Sequence, residues 1–160
     1  MKTLLSFMLL IAVQAITAQT FTHKVKYFHN NEEIAITSLE ASAVSRLNTV
    51  AVSVKGNTIT APALQRPYTL HLVINGKKFM FNKFKNEMGH DSDIEIYDID
   101  SQEALTKIPN SENTYAAGNY TVLINDKNRD KKLNGIVVHY NEDVNGVSTS
   151  VQEGLVTDDY

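Results

Sequence analysis

Apolar and polar residues alternate with a period of two along much of this chain, a pattern typical of strands that turn one face to a core. The clearest runs are 68–74 and 77–81, which flank Asn75 and Gly76. This Asn-Gly pair favours a two-residue type I′ turn, because both of its positions need positive φ. The pattern therefore predicts a β-hairpin.

A second pair of alternating runs lies within residues 94–125. One face of each run is formed by every second residue, namely Ile94, Ile96 and Asp98 in the first run and Tyr120, Val122 and Ile124 in the second. β-Branched and aromatic residues, which favour strands, fill most of these positions. Gly118 supplies the backbone freedom that a turn needs just before the second strand.

Other short runs at 21–28, 33–37, 49–55 and 135–140 bring the total to roughly eight or nine strands separated by polar turns. Such a series predicts an all-β fold, an antiparallel β-sandwich of the immunoglobulin/fibronectin-like type.

One segment permits a different structure. Residues 37–40 have the form of a helix capping box, and Leu39, Ala43 and Leu47 follow at helical spacing. The serines and valine of this segment give it only a mediocre helix propensity. The spacing leaves room for one short helix near 38–47.

The first 18 residues have the layout of a secretory signal peptide, with Lys2, an apolar run at 4–13 and small residues up to Ala18. The run is shorter than the ~20 residues of a spanning helix. We expect cleavage near Ala18, or alternatively after Ala15, and a secreted or periplasmic protein. Residues 19–152 then form a single domain, and residues 153–160 an acidic flexible tail.

Composition narrows the function classes. The net charge is −3 and basic residues form no cluster, which argues against nucleic-acid binding. The chain contains no cysteine, which excludes thiol catalysis, a disulfide framework and a lipid anchor on cysteine. An exported domain without disulfides is more typical of bacteria than of animals.

Three segments in the C-terminal half carry a resemblance to a known family. They are IEIYDI at 94–99, YAAGNYTVLI at 115–124 and GIVV at 135–138. In this order, with a charged turn before the last, they resemble exported bacterial immunoglobulin/fibronectin-like modules. Over about 94–138 they look most like the C-terminal sorting domains of type IX secretion cargo. The resemblance implies the fold and an exported context, and it carries over no functional residue.

Asp126, Asn128 and Asp130 have the spacing that opens a calcium loop of the EF-hand kind. That loop also needs glycine at its sixth position and a bidentate glutamate at its twelfth, where this chain has Lys131 and Val137. A solvated turn between strands is therefore the favoured interpretation, and these three residues are only weak metal candidates.

A second group of carboxylates surrounds the strand at 94–99 and consists of Asp91, Asp93, Glu95, Asp98 and Asp100. Paired carboxylates could bind a metal or hydrolyse a glycoside. Acidic residues that keep a strand soluble are the simpler explanation.

The five histidines, His23, His29, His71, His90 and His139, show no metal-ligand spacing and are expected on the sheet surface or in loops. Local motifs for a serine or zinc hydrolase are missing from the sequence. We predict a non-enzymatic exported protein without a cofactor that contacts a protein or the cell envelope through edge strands or loops. The alternatives are a small-ligand or glycan-binding module and, less favoured, a hydrolase with a dispersed site.

Overall fold

A computed structural model describes residues 20–46, 48–62, 66–84, 94–111, 113–125 and 133–142. The strands, in chain order, are β1 (Thr20–His29), β2 (Glu32–Ile34), β3 (Leu39–Ser45), β4 (Asn48–Val50), β5 (Ser53–Lys55), β6 (Thr58–Pro62), β7 (Tyr68–Ile74), β8 (Lys77–Phe84), β9 (Glu95–Asp98), β10 (Glu103–Lys107), β11 (Thr114–Ala117), β12 (Tyr120–Asn125) and β13 (Leu133–Tyr140). This part of the chain is all-β and contains no helix. It therefore also contains no helix of the length and apolarity that crossing a membrane requires.

The strands form one sheet in the order β4-β3-β7-β8-β9-β10-β11-β12-β13-β1-β6-β5, and β2 pairs with β1. Strands β7 to β13 follow one another as an antiparallel meander, and β1 joins β13 in parallel. The predicted hairpin is confirmed as β7 and β8. Its turn residues Asn75 and Gly76 have φ of 49° and 82°, as a type I′ turn requires.

The sheet curls because some strand segments change partners along their length. In β10, Leu105 pairs with Ile96 of β9, whereas Thr106 pairs with Ala116 of β11. On the other side, β4 pairs with β3 and β5 pairs with β6, although only residues 51 and 52 separate β4 from β5. The two ends of the sheet are therefore joined by the chain itself, and β5 lies beside β3.

The two halves of the curled sheet enclose a single large core. Phe79 of β8 meets Tyr120 of β12 with ring centroids 5.3 Å apart, and Phe84 meets His23 of β1 at 5.2 Å. The inward faces predicted for 94–98 and 120–124 are confirmed, because Ile94, Ile96, Asp98, Tyr120, Val122 and Ile124 are all buried. A smaller apolar cluster of Phe28, Leu123 and Val137 lies on the opposite face of the sheet.

The short helix expected near 38–47 is wrong, because residues 39–45 form β3. Leu39 and Ala43 are four residues apart, a spacing that fits one side of a helix and also one face of a strand. In the structure they lie opposite Ile74 and Leu70 of β7. Pairing with β7 on one side and with β4 on the other overrides the weak local propensity of the segment.

Several sequence predictions lie outside the described residues. They are the signal peptide, the loop of Asp126, Asn128 and Asp130 and the tail at 153–160. The run at 49–55 was predicted as one strand and instead supplies both β4 and β5, which pair with different strands.

Candidate binding surfaces

The carboxylates around β9 do not converge on one site. Asp91 and Asp93 lie outside the described residues. Glu95 pairs with the Lys83 ammonium at 2.6 Å, and it lies on the face opposite to the buried Asp98, since the two are three positions apart on one strand.

Asp98 holds the turn between β9 and β10, and Asp100 ties that turn to β8. Asp98 Oδ1 accepts the Asp100 N–H at 2.9 Å, and Asp100 Oδ2 accepts the Lys78 N–H at 3.2 Å. These oxygens hold backbone groups, as Asp side chains commonly do in turns. Within the described residues, no group of three or more His, Asp or Glu side chains could hold a metal ion.

Two histidines lie where sequence reasoning did not expect them. His23 is buried in the core, and His139 is buried on the opposite face of the sheet, stacked on Phe28 with centroids 4.6 Å apart and planes 12° apart. Burial lowers the pKa of His139 below its usual value of 6.5. Because an apolar neighbour and a buried position disfavour the charged imidazole, His139 acts as a packing residue.

His29 and His71 are more accessible and lie apart from each other. His29 Nε2 is 3.0 Å from Glu142 Oε1, at the end of β1. His71 lies on β7, between Ser42 of β3 and Met80 of β8. His90 is outside the described residues. The described histidines therefore form no shared catalytic arrangement.

Three tyrosines meet where β12, β13 and β1 lie side by side. The rings of Tyr120 and Tyr140 are 5.0 Å apart, and the Asn119 amide donates to the Tyr140 hydroxyl at 3.4 Å. Burial raises the pKa of Tyr27 and of Tyr120, and for Tyr120 the nearby Tyr27 and Asp98 raise it further. The Tyr27 and Tyr120 phenols therefore stay neutral and contribute apolar packing rather than acid–base chemistry.

The solvent-facing side of the β3-β7-β8-β9-β10 half carries a row of mostly uncharged side chains. Register pairs align the row across five strands, and it consists of Ser42, His71, Met80, Tyr97 and Ala104. We call these five residues the outer row. His71, Met80 and Tyr97 are half-buried although they face away from the core, because each packs between side chains of neighbouring strands.

Charged residues flank the outer row rather than interrupt it. On one side Glu40 and Lys78 lie opposite Val73. On the other side lies the Lys83–Glu95 ion pair, next to a hydrogen bond of 3.0 Å from the Thr69 hydroxyl to Asn82 Oδ1. An uncharged centre with Met and an aromatic residue, bordered by charges, is the composition of a protein-binding surface.

Two small depressions interrupt the sheet where strands change partners. One of about 220 Å³ lies at the corner made by β10 and includes Tyr97, Leu105 and Lys107. The other, which we call the notch, has about 280 Å³ and is lined by Val25, Lys26, Tyr27, Glu33, Ile34, Ala35, Ile36, Gly56 and Asn57. Both are smaller than typical ligand pockets of about 300–1,000 Å³.

Comparison with known proteins adds no further assignment to these surfaces. The chain matches no protein-family model, no curated protein and no solved structure.

Proposed function

We propose that the protein is an exported, non-enzymatic module with an immunoglobulin/fibronectin-like β-sandwich, which binds another protein or a component of the cell envelope. The sandwich is supported by the single core held between the two halves of the curled sheet. Export is supported by the signal-peptide pattern that ends at Ala18. The resemblance of 94–138 to sorting domains of type IX cargo agrees with both.

The outer row is the observation on which the binding role rests. Tyr97 and Met80 are residue types enriched at protein interfaces, and Met adapts its shape to a partner. Both lie on a solvent-facing sheet surface with charges only at its border. The outer row therefore offers a mostly uncharged centre that a partner can cover without burying an unpaired ammonium or carboxylate.

The edge strands are less suited to this role than the sequence suggested. The end strands β4 and β5 are three residues long each and are joined by a two-residue link. Short, connected edges of this kind resist the addition of a foreign strand. We therefore assign binding to the face of the sheet.

A hydrolase is disfavoured by the described carboxylates. Glu95 is paired with Lys83, Asp98 accepts the N–H of Asp100 in a turn, and Asp100 accepts the N–H of Lys78 in β8.

A glycan-binding role is the second candidate, and Tyr97 favours it. An aromatic ring on an open sheet face can stack against the apolar face of a sugar. Binding of the mature chain to a glycan array, lost in Tyr97→Ala, would support this alternative over a protein partner.

Site-specific photo-crosslinking tests the protein-binding proposal. A benzophenone amino acid at position 97 is compared with one at position 121, which is half-buried on the outward side of β12 in the other half of the sheet. Each labelled chain is incubated with envelope fractions of the native host and irradiated. The chain labelled at position 97 should give a discrete protein adduct, and an excess of unlabelled wild-type chain should abolish it. Equal labelling from both positions, or none from position 97, would contradict the proposal.

A further inference from the structure

The notch exists because β1 has two different partners along the same edge. Strand β6 pairs with the first part of β1 up to Lys24, opposite Thr58, whereas β2 pairs only from Tyr27, opposite Ile34. Between them the Val25 N–H donates to the Asn57 carbonyl at 2.8 Å. The wall of the sheet is therefore open between Asn57 and Ile34, directly above two core residues of β1.

The inner part of the notch is apolar. Its floor is formed by Tyr27, which is 8% exposed and lies beside the fully buried Val25. Ile34 lies opposite Tyr27 and yet remains 38% exposed, while Ile36 packs partly against the core. An isoleucine on the core-facing side of a strand stays this accessible because, at the opening, no residue of the described part of the chain covers it.

The outer rim of the notch carries a covered but loosely paired ammonium, on the outward face of β1, because Lys26 alternates with the core-facing Val25 and Tyr27. The Lys26 side chain is 16% exposed, and its Nζ lies 3.8 Å from Glu33 Oε2, whose side chain is 54% exposed. A strong pair of this kind has an N–O distance of about 2.7–2.9 Å. A second carboxylate that arrives at the rim can therefore approach Lys26 more closely than Glu33 does.

We propose that the notch binds a single-chain aliphatic monocarboxylate, with the alkyl chain against Tyr27, Ile34 and Ile36 and the carboxylate on Lys26. The shape of the site supports one such chain. At about 30 Å³ for a group of the size of a water molecule, 280 Å³ holds roughly nine methylene-sized groups. The ligand class is therefore a medium-chain fatty acid. This inference is independent of the outer row.

Isothermal titration calorimetry tests the proposal. Sodium decanoate, kept below its critical micelle concentration, is titrated into the mature chain that starts at Gln19. Saturable binding with one site per chain is expected. Octanoate, with two fewer methylenes, should bind about fifteenfold more weakly, because each buried methylene changes affinity by roughly fourfold. Titration heats that never saturate, or equal affinity for butyrate and decanoate, would overturn the proposal.

Matched variants locate the site. Ile34→Gln should weaken decanoate binding about tenfold or more, whereas Ile99→Gln, the same change at a residue that is also 38% exposed, should leave it unchanged. Lys26→Gln should weaken binding by about tenfold or more, because it removes the charge that meets the carboxylate, and Lys24→Gln on the same strand is its control. Equal effects of the two isoleucine variants, or of the two lysine variants, would show nonspecific adsorption. Thermal melts confirm that each variant is folded.

Discussion

Asn75 Oδ1 accepts the backbone N–H of Thr37 at 2.8 Å, across a separation of 38 residues. The same oxygen accepts the Ser38 N–H at 3.2 Å, and the Asn75 amide donates to the Ala35 carbonyl at 3.2 Å. Asn75 thus has two structural roles. It takes the positive φ of the β7–β8 turn, and its side chain ties down the segment that crosses from β2 to β3.

Replacement of Asn75 separates these two roles. Asn75→Gly keeps the backbone conformation and loses the side-chain bonds, so we expect the free energy of unfolding to fall by about 1–2 kcal/mol. Asn75→Ala should cost about 1 kcal/mol more, because alanine disfavours positive φ. Urea denaturation measures both values. An unchanged midpoint for Asn75→Gly would show that the side-chain bonds contribute nothing.

The buried His139 makes stability depend on pH. Its pKa is lowered by burial, so the unfolded chain binds a proton more readily than the folded chain between the usual value of 6.5 and the lowered value. Stability is therefore complete above pH 6.5 and falls as the pH decreases below it. The urea midpoint, measured from pH 7.5 down to about 5, should show this loss.

His139→Phe is the control for this dependence, since a phenyl ring can keep the stacking on Phe28 and cannot be protonated. We expect a flatter profile for this variant above about pH 5, where carboxylates remain ionised. Superimposable profiles for wild type and variant would assign the pH dependence to other groups.

Two glycines separate backbone strain from side-chain crowding. Gly118 and Gly56 have φ of 51° and 59°, but a Cβ on Gly118 would lie 3.2 Å from Glu103 Oε2, whereas one on Gly56 meets nothing within 4 Å. Both alanine variants should lose about 1 kcal/mol from the backbone. Gly118→Ala should lose a few tenths more, unless the exposed Glu103 side chain moves aside. Thermal denaturation is measured for both single variants and for the double variant Gly118→Ala/Glu103→Ala. The contribution of the contact is the extra loss in Gly118→Ala that disappears in the double variant.

Adjacent residues of β9 should differ sharply in their effect on stability. Ile96 is 1% exposed in the core, and Ile96→Ala should cost about 2–5 kcal/mol. Tyr97 faces outward, so Tyr97→Ala should cost about 1 kcal/mol or less and act mainly on binding. Urea denaturation of the two variants checks the assignment of the faces. A loss of several kcal/mol in Tyr97→Ala would mean that Tyr97 belongs to the core.

Alternation along the sequence predicted the inward faces well, because burial of every second residue is a local property of a strand. The β7–β8 hairpin was predictable for the same reason, since Asn75 and Gly76 determine their own turn. The bend of β10 was not predictable, because nothing local in its sequence indicates a change of partner from β9 to β11. The alternation of 39–45 was misread because a spacing of four satisfies both a helix and a strand.

The candidate site needed the register of the strands. Sequence alternation already turns His71 and Tyr97 outward, opposite to the predicted inward faces. That they form one row with Met80 follows only from the pairing of β7, β8 and β9. The notch depends on the two partners of β1, which are distant from each other in the sequence. The interpretation of Asp126, Asn128 and Asp130 as a solvated turn with only weak metal candidates stays a prediction, because these residues lie outside the described part of the chain.

Co-sedimentation with envelope fractions of the native host tests the central claim, that the outer row binds a partner. Wild-type mature chain should bind saturably, and Tyr97→Lys should reduce binding at least tenfold by placing a charge at the centre of the outer row. Thr121→Lys, the same charge at a half-buried position in the other half of the sheet, should bind like wild type. Equal binding of Tyr97→Lys and wild type would contradict the claim.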